Sequence, residues 1–299
     1  MKELLFGVVG NMGPEADILF QDIVFKEEVA HGAMKDQDHM GMVVIKNPDI
    51  PDRSEAINEG GEDPVPEMLE SVRFLEKNKV NFAVMTCNTA HYFRKRLQEQ
   101  TDVYLLDMLK ATTEQIHSDN PAAIVGILCT NGTYNSGIYD DYLTMANLPF
   151  IKPSLEIQER YVHSAIYGAK TGEKSSCGQD IREPFGIKSG EFASNAKLLI
   201  KAIETLEVQG VDTVILGCTE LPLVRSILEN HFSSIDFIDP MEAVASKVVQ
   251  VYELAKSLYF SGEARDFCEK INIGDIHSIE DIAHYIVYRQ NKNRVLAEV

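Results

Sequence analysis

The sequence predicts an α/β protein built on parallel sheet, and three observations carry that reading. Short continuous apolar runs rich in Val, Ile and Phe alternate with amphipathic stretches of helix length. The runs are unbroken rather than alternating, which suits strands covered on both faces. Strands that alternate with helices imply βαβ units and a parallel sheet. Strands are expected near Leu4–Val9, Met42–Ile45, Phe82–Met85, Val103–Leu106, Ala123–Leu128, Thr213–Leu216 and Ile235–Ile238. Helical patterns lie between them, among them Pro66–Lys77, Leu155–Ala169 and Phe192–Glu207.

A weak internal repeat divides the chain. "GNMG" ending at Gly13 is echoed by "CTNG" ending at Gly132, "VMTCNT" around Cys87 by "ILGCTE" around Cys218, and "YLLDM" by "DFIDP". Three matches in the same order at similar offsets indicate two related α/β lobes. The first lobe is expected to cover 1–117 plus about 226–260 and the second 118–225, with 261–299 as a C-terminal extension. Thr171–Gly190 is polar, contains glycine and is long, so it reads as a loop or lid. In the extension, Ser278 and Asp281 have capping spacing, and Ile282, Tyr285 and Ile286 share one apolar face.

Composition narrows the function. The 299 residues are 44% hydrophobic and 25% charged, as in ordinary globular chains. Net charge is 28 − 46 = −18, which argues against nucleic acid and anionic membranes as partners. No apolar run approaches the roughly 20 residues of a membrane helix, and a cytoplasmic protein is the simple expectation. Arg94–Arg96 reads as a solvated helix face. The five cysteines form no disulfide framework and no zinc spacing, so no metal is expected.

Two of those cysteines, Cys87 and Cys218, end apolar strands in matching contexts. In open α/β sheets ligands bind at this carboxyl edge, where a following helix start lowers a thiol's pKa. Asn88, Thr89 and Thr219 stand beside them as hydrogen-bond donors. A single buried cysteine at a strand end is more often a small hydrophobe; the pair in equivalent settings favours chemistry. Cys129, Cys177 and Cys268 lack such settings.

With "CNTAH" at Cys87–His91, "GCTE" at Gly217–Glu220 and "GNMGPEAD" at Gly10–Asp17, the chain resembles the aspartate racemase branch of the aspartate/glutamate racemase superfamily over about residues 4–258. The resemblance implies two pseudo-symmetric flavodoxin-like lobes with the substrate between them, a homodimer, and no cofactor. It also implies that Cys87 and Cys218 work as acid and base on opposite faces of the α-carbon of a small acidic amino acid, aspartate or glutamate. Met12 and Gly13, with Asn88, Thr89 and Thr219, fall where the α-carboxylate would be held. Arg53, in "NPDIPDRSEAI", and Lys170, in "IYGAKTG", match segments that grip the distal carboxylate. Glu220 is expected to hold the substrate ammonium or to cap its helix, and His91 to orient the Cys87 thiol. Asn11 replaces a glycine usual in the family, and Asp17 a threonine. The alternatives are a related isomerase or decarboxylase, or a protein that binds acidic amino acids without turning them over.

Overall fold

The computed structural model describes residues 4–58, 60–174, 180–262, 273, 276 and 278–297; Cys177 and Cys268 lie outside them. Two four-stranded parallel sheets form the frame. The first contains β1 (Leu5–Gly10), β2 (Gly41–Lys46), β3 (Phe82–Met85) and β4 (Tyr104–Leu105) in the order β2-β1-β3-β4. The second contains β5 (Val125–Cys129), β6 (Phe150–Ile151), β9 (Thr213–Gly217) and β10 (Asp236–Ile238) in the order β10-β9-β5-β6. Numbered within its own half, each sheet runs 2-1-3-4, so the two halves share one topology. Cys87 follows the third strand of the first sheet and Cys218 the third strand of the second.

The edge strands β2 and β6 are half-buried, while the central strands β1, β3, β5 and β9 are buried because helices cover both faces. In the first half these are α1 (Pro14–Ala30), α2 (Arg53–Asn58), α3 (Val65–Lys77), α4 (Arg94–Gln98) and α5 (Met108–Asp119). Successive residues of β1 serve different faces: Phe6 and Val8 join Phe20 and Val24 of α1, while Val9 joins Met68 and Val72 of α3. The second half carries α6 (Asn131–Ser136), α7 (Ile138–Met145), α8 (Leu155–Ile157), α9 (Ser164–Tyr167), α10 (Phe192–Glu207) and α11 (Arg225–His231). A π-helical turn over Gln158–His163 joins α8 to α9. One core cluster runs between the halves, with Val125, Ile127 and Ile215 of the second sheet beside Phe6, Val8 and Phe82 of the first.

Three expectations need correction. β10 pairs with β9, so the second half extends past residue 225. The return to the first half begins at α12 (Pro240–Ser261), which packs on α1 and α5. The stretch read as a loop or lid contains a β-hairpin, β7 (Gly168–Lys174) antiparallel to β8 (Asp180–Phe185). A 3₁₀ turn, Ile187–Ser189, follows it. Polar composition suggested a loop, but a hairpin with two wet faces needs no apolar period. For the same reason the helix expected to reach Ala169 stops at Tyr167, and Ala169 lies in β7.

The C-terminal α13 (Ile279–Ala297) packs on α12 within the chain. Ser278 and Asp281 form the reciprocal capping bonds expected of them, at 3.1 and 3.0 Å. Ile282, Tyr285 and Ile286 are buried, and Tyr285 Oη donates to the Asp102 carbonyl at 2.9 Å. Among the described residues no helix is long and apolar enough to cross a membrane.

Candidate active site

The three sequence echoes fall on equivalent places in the two sheets. Asp107 caps α5 and Asp239 caps α12, each accepting from a backbone N–H in the first turn. Across the gap between the halves the turn after β1 meets the loop after β9, with Gly13 against Glu220, and the turn after β5 meets the loop after β3, with Gly132 against Thr89. Hydrogen bonds cross that gap: Tyr139 Oη to Asn88 Oδ1 at 2.6 Å, Thr219 Oγ1 to the Thr86 carbonyl at 3.3 Å, and Thr89 Oγ1 with Thr130 and Thr133. Asn88, Thr89 and Thr219 therefore do bring the loops together, although their polar side chains bond protein groups.

Cys87 is 7% exposed and Cys218 5%. Each precedes a short 3₁₀ turn, Thr89–Phe93 or Leu221–Val224, which runs on into α4 or α11. The two sulfurs have different surroundings. Arg53, buried in α2, is in electrostatic contact with Cys87. Burial works against the guanidinium charge, but Cys87, Asp52 and Tyr167 outweigh it and hold its pKa above the ordinary arginine value. Its Nη1 donates to the Pro51 carbonyl at 2.7 Å and its Nη2 to the Met12 carbonyl at 3.4 Å. Cys218, by contrast, donates from Sγ to Glu220 Oε2 at 2.9 Å. Burial first, and the Glu220 charge second, push this thiol's pKa well up. The expected lowering does not occur at Cys218, because a carboxylate and not a helix end is its nearest partner.

Glu220 neither caps a helix nor faces solvent. It is buried and ion-paired through Oε1 with Lys188 Nζ. Lys188 also donates to the Met12 carbonyl at 3.1 Å and sits 5.4 Å from the Tyr167 ring centroid. Burial disfavours the Lys188 charge, yet Glu220, Tyr167 and Cys218 raise its pKa above that of a free lysine. Lys170 lies elsewhere, exposed on β7 and in register with Arg182. The lysine brought to the cysteines is thus Lys188, held by the 3₁₀ turn whose Ile187 is fully buried. Sequence reasoning missed it. The one available signal was a lone lysine beside an apolar residue at the end of a glycine-bounded stretch.

The turn after β1 also differs from expectation. The Asn11 N–H donates to Asp17 Oδ2 at 2.6 Å, so this amide does not cradle a ligand. Asn11 takes the left-handed conformation, φ 65°, which asparagine tolerates better than most residues. Asp17 is fully buried and accepts Thr86 Oγ1 at 2.6 Å as well. It ties β1 to the loop that presents Cys87. Gly13 lies against Glu220, and a Cβ there would collide with Oε1. His91 holds the Cys87 backbone and not its sulfur. The Met108 N–H donates to Nε2 at 3.1 Å, which leaves Nδ1 to donate to the Cys87 carbonyl at 2.9 Å. Burial lowers the pKa of this imidazole, consistent with its neutral role.

Three buried polar atoms here have no partner: Arg53 Nε, Ser54 Oγ and Asn88 Nδ2. Beside them a cleft of about 270 Å³ opens between the halves, lined by Asp52, Ser54, Asn131, His163, Tyr167 and Arg182. Among the described residues no group of His, Cys, Asp and Glu is arranged to hold a metal ion.

Known proteins share this architecture. Superposition on Picrophilus torridus aspartate racemase gives a TM-score of 0.65 at 27% identity, over 87% of this chain and 94% of that one. A broad specificity amino-acid racemase, RacX, from Bacillus subtilis is 24% identical over 254 residues, 83% of this chain and 98% of its own length. A glutamate racemase from Carboxydothermus hydrogenoformans is 28% identical over 213 residues, 71% of this chain and 70% of that protein. Residues 25–248 match the family model described as Asp/Glu/Hydantoin racemase. With paired sheets, paired cysteines and a match across most of its length, the chain belongs to the Asp/Glu/hydantoin racemase family.

Proposed function

We propose that this protein interconverts the enantiomers of a small acidic amino acid, aspartate before glutamate, with Cys87 and Cys218 as its acid–base pair and no cofactor. The observation that carries the reading is the equivalence of the two cysteines. Each follows the third strand of its own sheet, and both meet cations bound to the same Met12 carbonyl, Arg53 beside Cys87 and Lys188 beside Cys218 and its partner Glu220.

Racemisation removes the α-proton from one face and returns a proton to the other. A thiolate takes the hydrogen and the opposite thiol supplies one, so the pair ends each turnover with its protonation exchanged. The carbanion that develops needs fixed positive charge and donors nearby. Arg53 and Lys188 supply the charge; Asn88 Nδ2, Ser54 Oγ and Arg53 Nε are donors with hydrogen-bonding capacity to spare. Burial of both sulfurs excludes water that would otherwise screen these interactions. An acidic substrate carries a second carboxylate, and the buried Arg53 guanidinium, with half-buried Lys188 beyond it, suits that group better than a neutral side chain.

Incubation of the purified protein with L-aspartate, and separately L-glutamate, in deuterated water tests the reading. Loss of optical rotation with deuterium at the α-carbon is expected, fastest with aspartate. Cys87→Ala and Cys218→Ala should each slow turnover by about a hundredfold or more, the scale of general acid–base help. Full racemisation by either variant rejects the two-thiol assignment, and binding without exchange rejects catalysis.

A further inference from the structure

The asymmetry between the two thiols goes beyond that reaction scheme. A two-base racemase has two resting forms, one with each thiol ionised, and nothing in the net chemistry prefers either. The surroundings do. Cys218 Sγ lies 2.9 Å from Glu220 Oε2 as its hydrogen-bond donor, and the shared proton rests on the less acidic partner, the sulfur. Lys188 Nζ is ion-paired with the other oxygen of that carboxylate. Cys87 faces the Arg53 guanidinium instead. We propose that Glu220 is a positioning residue that fixes Cys218 as the thiol of the resting enzyme, so that Cys87 is the base in the first half of catalysis. This inference rests on the racemase reading.

The groups facing each sulfur agree in sign. Around Cys218 stand Glu220, Lys188 and Tyr167, and Tyr167 Oη is itself bonded to Asp52 at 3.1 Å. Asp17 adds a second acidic group that feels Glu220. Around Cys87 the charged neighbour is Arg53. Burial and the Glu220 carboxylate oppose a Cys218 thiolate, and together they outweigh Lys188 and the Glu220 backbone N–H, which favour one.

Protons balance as follows. The Cys87 thiolate accepts the α-hydrogen and becomes a thiol; the carbanion takes the Cys218 proton and leaves a thiolate next to the Glu220 carboxylate. That product form sets two anions side by side and is the less stable of the two. It returns either by running the reaction backwards or by taking a proton at Cys218 and losing one at Cys87. Because the equilibrium constant between enantiomers is one, kcat/KM is equal for both. The bias therefore shows as kcat and KM differing in parallel between the two directions.

Alkylation of each thiol by iodoacetamide, followed by mass spectrometry from about pH 5 to 10 on the substrate-free protein, tests the assignment. The shape of each pH profile, which access does not change, reports ionisation. The Cys218 rate is expected still to be climbing at pH 10 and, relative to its own pH 10 rate, to lag Cys87 by about tenfold or more near neutral pH. Glu220→Gln should raise the relative rate at Cys218 by about tenfold or more near neutral pH and leave Cys87 within about threefold. Equal profiles in the unmodified protein, or an unchanged Cys218 profile in a folded Glu220→Gln variant, overturn the proposal. Should that variant not fold, the unmodified protein decides alone. The measurement needs no substrate, so its outcome is separate from that of the aspartate exchange assay.

Discussion

At the scale of single residues, the cysteines were legible because their settings repeat, and Lys188 was not because its setting does not. Cys87 and Cys218 end apolar strands that any periodicity search finds, and each is followed by small polar residues that pack into tight turns. Arg53 stood out through the resemblance of "NPDIPDRSEAI" to a carboxylate-gripping loop, and it is buried in electrostatic contact with Cys87. Lys170 lies on the polar hairpin and Lys188 in the turn after it, and only the path of that segment decides which one reaches Glu220 and Cys218. The consequence is measurable. Lys188→Met leaves the buried Glu220 carboxylate beside Cys218 without its cation and takes a fixed positive charge from the site, a kind of loss worth about a hundredfold or more in rate. Lys170→Met changes an exposed side chain. In steady-state kinetics with aspartate, kcat/KM is expected to fall by about a hundredfold for Lys188→Met and to stay within about threefold for Lys170→Met. The reverse pattern would restore Lys170 as the anchor.

At the scale of elements, continuous apolar runs located most strands to within two residues, since a parallel strand buried on both faces has little other way to look. β6 was missed because its two residues, Phe150 and Ile151, are too few to show a period. The equivalent caps Asp107 and Asp239 were visible as an echo, but their ionisation depends on tertiary surroundings that sequence does not display. Arg94, with hydrogen bonds from Tyr142 and the Lys110 N–H, holds Asp107 charged in spite of its burial, and its pKa is lowered. Burial, with the Glu242 charge adding to it, lifts the Asp239 pKa to about 7 although it accepts the Met241 N–H at 2.8 Å. The folded state thus binds this proton more tightly than the unfolded chain, whose value is 3.8. Above the unfolded value the unfolded chain is ionised first, so this residue's contribution makes stability fall as pH rises from about 4 to about 7. Asp239→Asn keeps a capping oxygen and removes the titration. Denaturant melts of this variant against the unmodified protein are expected to show a gain that grows across that interval and levels off above it. A gain independent of pH would mean that Asp239 is ionised throughout.

At the scale of the whole molecule, the site exists only where the two halves meet. The repeat foretold two lobes of one topology, yet it carried no information on how closely they approach. That distance is set by small residues. Gly132 opens α6 against α2, where a Cβ would lie 2.8 Å from the Ser54 Cα and 2.9 Å from Thr89 Cγ2. The first of these is backbone, so an added methyl is accommodated only by moving one half away from the other. Such a wedge would act on everything that spans the gap: Thr89 with Thr130 and Thr133, Asn58 with Asn135, and Tyr167 with Asp52. It would also part Arg53 and Cys87 in the first half from Glu220 and Cys218 in the second, although it touches none of them. Catalysis by a pair of groups falls steeply when their spacing shifts by about 1 Å, by up to a hundredfold. Gly132→Ala is therefore expected to lower kcat by about ten- to a hundredfold while costing about 1–3 kcal/mol in denaturant stability, the range for overpacked sites. Deuterium exchange at the substrate α-carbon should fall with racemisation, because neither thiol then reaches its face of the carbon. A Gly132→Ala variant with the full rate would show that the halves have slack at this contact, and that the spacing of the two sulfurs is held elsewhere.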